Sequence, residues 1–423
     1  MTDISRRDFI QATGAGLLTI IPRETPVLLQ DTLEQRIARL LQAYDAQGNH
    51  RTGTEVDRRS GEWLAREVRQ AGTEASLEPF SLSRVDPQSC YLQTGGRRMD
   101  GVPVFDATFT GAQGVHGKLG PLGSDSEIGL AESELATLSE GGGAPPRTGI
   151  EQREQVQVAR RSGHSAVVIL TRGVRPGLHL LNASDFRKPS GPPMLQISSS
   201  EIDWLRERAA ARDEATLVAQ VNGSPAEAFN ITVKVAGRNP ALAPIVLMAP
   251  RSAWWQSVTE QGSRLVCWLE AIRVLTSARP ARDCFFVALS GHELGFLGID
   301  PYLQHRPQLI SRARCWIFLG SGLGSPHQPN LVHASDDALE RWAISTLEKE
   351  GLVVNATAAH DSKARGEAGA IQHGGGRFVT VVCGSDVYHS VNDRWPEAVD
   401  VALLARYARA FANGALQLAN ERP

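Results

Sequence analysis

The chain has no apolar run approaching the roughly 20 residues that a membrane span needs, so no segment qualifies as a spanning helix. Cysteine is scarce: Cys90, Cys267, Cys284, Cys315 and Cys383 lie far apart with no CxxC spacing, which excludes a zinc ribbon and a disulfide-dense scaffold. Cys284 and Cys315 fall in apolar runs, where a free thiol acts as a small buried hydrophobe. Neither sign of charge dominates. With 44 Lys+Arg against 46 Asp+Glu, the formal charge of −2 makes no electrostatic case for a nucleic-acid partner. Gly-x-Ser-x-Gly, HExxH and Walker-type loops are all missing, and with them the chemistries those motifs carry.

What is present is an ordinary globular composition, 42% hydrophobic and 21% charged. At roughly 150 residues per domain, 423 residues make two to three domains, or one large α/β domain with an insertion. The N-terminus reads Ser5-Arg6-Arg7-Asp8-Phe9-Ile10, then a mild apolar stretch from Ala12 to Ile21 and Pro22. Residues 1–25 resemble a twin-arginine signal, which implies a prokaryotic protein exported to the periplasm or beyond. That route carries folded proteins, which favours a bound metal or cofactor. No small-x-small cleavage site follows, and contact with a membrane is expected only if the segment is retained.

Apolar positions at helical spacing predict helices from Leu33 to Tyr44 and from about Val56 to Ala71, followed by a strand from Ala75 to Phe80. Residues 90–225 have another texture. Short β-like runs (His116 to Leu119, Val156 to Ala159, Ser165 to Leu170, Pro193 to Ile197) sit among Gly/Ser/Pro stretches such as Glu140 to Pro146, with one helix-like piece from Glu201 to Arg212. We read a β-rich insertion over 90–225, flanked by 30–89 and 226–423, which together form the main domain.

From Phe229 onward, strands (Asn230 to Val235, Ile245 to Ala249, Cys284 to Leu289, Cys315 to Leu319, Phe378 to Val382) alternate with helices (Val258 to Leu275, Ala338 to Glu350, Val399 to Leu416). The expected fold class is α/β, a doubly wound mixed sheet with a small inserted domain. Ligands of such sheets bind at the carboxyl ends of the strands. Two of those ends carry Ser290-Gly291-His292-Glu293 and Tyr388-His389-Ser390-Val391-Asn392-Asp393, a carboxylate and an imidazole of the kind that zinc takes from separate elements.

Over nearly all of the chain after residue 25, these residues resemble the zinc aminopeptidase family of bacterial leucyl aminopeptidases, glutamate carboxypeptidase relatives and glutaminyl cyclases. The resemblance rests on HRTGT (50–54), on SGHELGFLG (290–298) against the family's Glu-Glu-x-Gly-Leu-x-Gly, and on YHSVND (388–393) against Tyr-His-Thr-x-x-Asp. It implies the family fold, with the 90–225 insertion similar to a protease-associated domain. It also implies two zinc ions held by a His and an Asp after the first catalytic strand, a bridging Asp, a Glu, a second Asp and a final His.

This chain departs from that set. Pro250 and Ser252 stand at the first His and Asp, and Gly320 stands where a second Asp is expected. Glu260 takes the bridging position, His292 that of the general base, Glu293 that of a ligand and His389 that of the final His. What remains is a single-metal set of Glu260, Glu293 and His389, resembling the glutaminyl cyclase arrangement, with His292 as base. One zinc is the most this set is expected to hold; the two-zinc site is not expected.

The plainer alternatives are that Glu260 is a surface charge at a helix N-terminus, and that Glu293 and His389 are a hydrogen-bonded polar pair, with each other or with His292. Arg251 is expected to pair with Glu293, the alternative being a cleft residue that binds a carboxylate or oxyanion in place of zinc. Trp254 and Trp255 are expected either to fill the vacated metal cavity or, with Tyr388, to wall a cleft. The leading expectation is an exported, aminopeptidase-like protein with a degenerate site that binds a peptide or amino-acid derivative without hydrolysis. The alternative is a single-metal hydrolase acting on peptide N-termini, so sequence leaves enzymatic activity open.

Overall fold

The computed structural model describes residues 31–134 and 150–422. The twin-arginine-like segment and the stretch from Glu140 to Pro146 lie outside the described residues. In chain order the helices are α1 (Leu33–Asp45), α2 (Glu55–Gln70), α3 (Ile150–Arg160), α4 (Ile202–Ala211), α5 (Ser263–Ala278), α6 (Ile299–Gln304), α7 (Leu309–Arg312), α8 (Asp337–Lys349), α9 (Ala368–His373) and α10 (Val401–Asn420). The strands are β1 (Ala75–Thr94), β2 (Arg97–Asp100), β3 (Val102–Pro103), β4 (Val115–Pro121), β5 (Ile128–Glu134), β6 (Ala166–Arg172), β7 (Met194–Ile197), β8 (Glu214–Val235), β9 (Ile245–Pro250), β10 (Cys284–Leu289), β11 (Cys315–Leu319), β12 (Asn330–Ala334), β13 (Ala356–Thr357) and β14 (Phe378–Cys383).

The mixed sheet runs β13-β12-β14-β11-β9-β10-β8-β4-β5-β6-β7-β3, with β1 pairing β8 and β2. Its centre is the parallel set β10, β9, β11 and β14. These strands are apolar on both faces because both faces are covered. Along β9, Ile245, Leu247 and Ala249 enter the core beneath α1, α2, α5, α8 and α10, while Val246 and Met248 enter the smaller core beneath α6, α7 and α9. The period-2 alternation of a strand thus builds two helix layers on one sheet, the doubly wound mixed α/β class expected from the sequence.

β1 and β8 are far longer than the sequence suggests, and they pair antiparallel from Ala75↔Val233 to Thr94↔Ala215. This ribbon leads from the main sheet into the β4 to β7 region, whose own core includes Leu119, Ile128, Val168 and Leu205. Val156 to Ala159 is not β-like as expected: it closes helix α3, with Val156 and Ala159 buried three apart on one helix face. A short apolar run carries no period of its own, and here the neighbouring strands decided its conformation. All five cysteines are free and buried, including Cys284 and Cys315. No helix among the described residues is long and apolar enough to cross a membrane.

Candidate functional site

The carboxyl ends of β9, β10, β11 and β14 meet the turn at 50–54. Thr54 caps α2 by accepting from Asp57 N, and the turn just before it presents Thr52 to the strand ends. Thr52 N donates to Glu293 Oε1 at 2.7 Å, and Ser252 Oγ donates to Glu293 Oε2 at 2.8 Å. The same Ser252 oxygen accepts from Gly291 N at 2.8 Å and His292 N at 3.1 Å. Burial pushes the Glu293 carboxyl up, partly offset by the Thr52 and Ser252 hydrogen bonds. Glu293 is therefore a hydrogen-bonded carboxyl, but its partners are Thr52 and Ser252, not His389 or His292.

Arg251 does not pair with Glu293. Its side chain turns toward α2, where Nη1 lies 2.8 Å from Asp57 Oδ1 with both side chains fully buried. Nη1 also donates to Asp57 O at 2.9 Å, and Nε and Nη2 donate to Phe229 O at 3.1 and 2.6 Å. Arg251 and Ser252 follow the end of β9, and only Ser252 reaches Glu293. Burial raises the Asp57 carboxyl, with Arg251 the largest opposing influence.

A second cluster forms around Glu260, which is only 2% exposed and so is not the surface charge of the plainer alternative. It sits in a π-helical turn, Val258–Gly262, ahead of α5. Asp393 holds this turn by accepting from Thr259 N at 2.7 Å, Thr259 Oγ1 at 2.9 Å and Glu260 N at 3.0 Å. Burial pushes the Asp393 carboxyl up to about 7.

Glu260 Oε1 lies 3.3 Å from His389 Nε2 and 3.8 Å from His292 Nε2. Burial alone would raise the Glu260 pKa, but the facing His389 imidazole, then His292 and Arg264, outweigh it and hold the carboxyl at about 2. On its far side His292 Nδ1 meets Glu367 Oε1 at 3.0 Å. His389 Nδ1 donates to Leu180 O at 2.6 Å, which fixes its ring, while its Nε2 is buried without a hydrogen-bond partner. His389 occupies the left-handed region (φ 57°), an uncommon conformation for a non-glycine residue. Tyr388 stacks on the His389 ring at 3.9 Å.

The segment from Leu178 to Phe186 covers this end of the sheet. Besides Leu180, its Ala183 N donates to Glu293 O at 2.8 Å. Trp254 packs into the segment: its ring stacks on Phe105 at 4.6 Å and its Nε1 donates to Asn182 Oδ1 at 3.1 Å. Trp255 is half-buried and donates to His389 O at 3.1 Å. At the end of β11, Gly320 leaves no room for a side chain, because an added β-carbon would lie 2.1 Å from Val381 O.

The structure thus brings Glu260, His292 and His389 together and leaves Glu293 on the Thr52 and Ser252 side. Both oxygens of Glu293 accept hydrogen bonds, one from Thr52 N and one from Ser252 Oγ. Among the described residues no group of three or more His, Cys, Asp or Glu side chains is arranged to hold a metal ion.

Comparison with solved structures places the fold. BSAP, a zinc aminopeptidase from Bacillus subtilis, matches at TM-score 0.71 and 17% identity over 92% of this chain and 95% of that one. A peptidase M28 precursor from Shewanella amazonensis matches at 0.70 and 16% identity over 92% and 97%. An aminopeptidase from Aneurinibacillus matches at 0.66 and 15% identity over 92% and 94%. The fold is that of these aminopeptidases. No protein-family model matches the sequence, and no curated protein matches it.

Sequence reasoning missed Thr52, Asp57, Arg264, Glu367 and Asp393 as members of the site. HRTGT and YHSVND were visible as motifs, but which of their residues turn inward was not. Arg264 carried a signal, a charge opening the apolar run Leu265 to Leu269. Glu367 carried none, since it lies in a loop more than 70 residues from its partner His292.

Proposed function

We propose that this chain uses an aminopeptidase fold with a degenerate two-metal site to bind a peptide or amino-acid derivative without hydrolysing it. The observation that carries this reading is the closure of the backbone at Gly320, where no ligand side chain can be accommodated. Pro250 offers no side-chain donor, and Ser252 is committed to Glu293 and two backbone amides. The electropositive and aromatic groups that remain around Glu260 suit ligand contact. We further propose export through the twin-arginine-like segment, with residues 90–225 acting as a protease-associated-like insertion.

One observation favours the single-metal hydrolase as a second reading: two ligand-type atoms, His389 Nε2 and Glu260 Oε1, face each other at 3.3 Å. Elemental analysis of protein exported from its host and purified without chelators tests the two, beside His389→Ala. We expect far less than one zinc per chain in both, and no release of N-terminal residues from short peptides. One zinc per chain, lost in the variant and accompanied by turnover, would replace the binding reading with the hydrolase.

A further inference from the structure

Arg264 opens α5 one turn beyond Glu260, and its side chain is 98% buried, since only 2% remains exposed. Its guanidinium lies 5.8 Å from the centre of the Phe318 ring, yet Nε and Nη1 have no hydrogen-bond acceptor. A guanidinium cannot shed its charge to escape burial, so two orphaned donors on one carry a large desolvation cost. Folded chains tolerate such a cost where a ligand supplies the acceptors. In the same cluster His389 Nε2 faces Glu260 Oε1 at 3.3 Å.

Charge and shape narrow the ligand. Glu260 and Glu367 stand in the same cluster, so a multiply charged anion meets more repulsion than a single carboxylate on Arg264 does. Glu260 in turn suits an ammonium group. Phe318 beside Arg264, Phe296 with its ring 5.3 Å from His292, and Tyr388 stacked on His389 give the surroundings an apolar character. We propose that Arg264 anchors a free carboxylate, so that the cleft takes amino acids or short peptides with an unblocked α-carboxylate and an apolar side chain. This rests on the reading of the cleft as a peptide or amino-acid-derivative site and adds the group it recognises.

The test is calorimetric titration of the full chain with L-leucine, N-acetyl-L-leucine, L-leucinamide and inorganic phosphate, in wild type, Arg264→Gln and Arg264→Lys. L-leucine and N-acetyl-L-leucine should bind, and leucinamide should be about 10- to 100-fold weaker, the range of a charge-assisted hydrogen bond. The preference should vanish in Arg264→Gln and survive in part in Arg264→Lys. Because it is a ratio within one sample, it does not depend on the folded fraction of a variant. Leucinamide binding as tightly as leucine, unchanged in Arg264→Gln, would overturn the carboxylate anchor and leave the peptide-cleft reading standing. Absence of binding by all three leucine compounds would overturn both. Phosphate binding without any leucine compound would reassign Arg264 to an adventitious ion only.

Discussion

Arg251→Met is the most informative single perturbation of the scaffold. At 2.8 Å the Arg251 to Asp57 contact has a Coulomb energy of about 6 kcal/mol at an effective dielectric constant of about 20. Desolvation of both fully buried ions offsets much of this, so the pair's net worth is small. Removing one partner is different, because the desolvated Asp57 carboxylate keeps only the neutral donors Gly53 N and Ser290 Oγ, and Phe229 O loses two donors. The expected cost is about 3–5 kcal/mol.

Urea denaturation followed through the buried Trp254, Trp268 and Trp316 measures it. A double-mutant cycle with Asp57→Asn should give a coupling of at least about 2 kcal/mol, and one with Glu293→Gln less than about 0.5 kcal/mol. The sign with pH is also set. The Asp57 carboxyl is already raised by burial, and loss of Arg251 raises it further. The variant then gains from protonation at low pH, and its penalty grows as pH rises, by at most about 1.4 kcal/mol per unit. A penalty under about 1 kcal/mol, or equal coupling to Glu293, would refute the reasoning.

Other outcomes follow from the same geometry. Ser252→Ala should destabilise by about 2–3 kcal/mol in the same urea assay, because the buried His292 amide and Glu293 Oε2 lose their partner. Burial holds the His50 imidazole down at about 3, so its stability contribution is present above about pH 6.5 and is lost as pH falls toward 3. Between about pH 7 and pH 5, His50→Asn should therefore lose about 2 kcal/mol less than wild type. Gly320→Asp should fail to fold or melt far below wild type, because its β-carbon meets Val381 O at 2.1 Å. The triple variant Pro250→His, Ser252→Asp, Gly320→Asp should show no zinc-dependent release of an N-terminal amino acid; clear activity would contradict the closed backbone.

Much of the scaffold was legible because burial imposes a period. Cys284 to Leu289 and Cys315 to Leu319 are continuous apolar runs, as parallel strands covered on both faces must be, and they coincide with β10 and β11. β12 was not anticipated, since Asn330 and His333 interrupt its pattern; in the fold Asn330 is satisfied by Val353 O and Tyr407. The length of β1 and β8 was equally hidden. The ribbon accommodates Pro79, Pro87 and Pro225 and shifts register between Pro87 and Ser89.

At the site, sequence supplied the residue types, and the fold supplied their partners. Strand-end position singled out His292, Glu293 and His389, whereas Glu260, in the turn ahead of α5, was named only through the resemblance to the zinc aminopeptidases. Whether Glu293 faces His389 or Thr52, whether Arg251 meets Glu293 or Asp57, and whether Arg264 is left without an acceptor depend on contacts between residues far apart in the chain, 241 positions for Thr52 and Glu293 and 194 for Asp57 and Arg251. Those contacts are set by how α2, the 178–186 segment and the strand ends pack against one another, and no local period encodes that packing. The α/β architecture and the strand-end residues His292, Glu293 and His389 were thus legible in the sequence alone, while the rest of the cluster and the pairing of each buried charge were decided only by tertiary structure, because a desolvated group takes the partner that packing brings within reach.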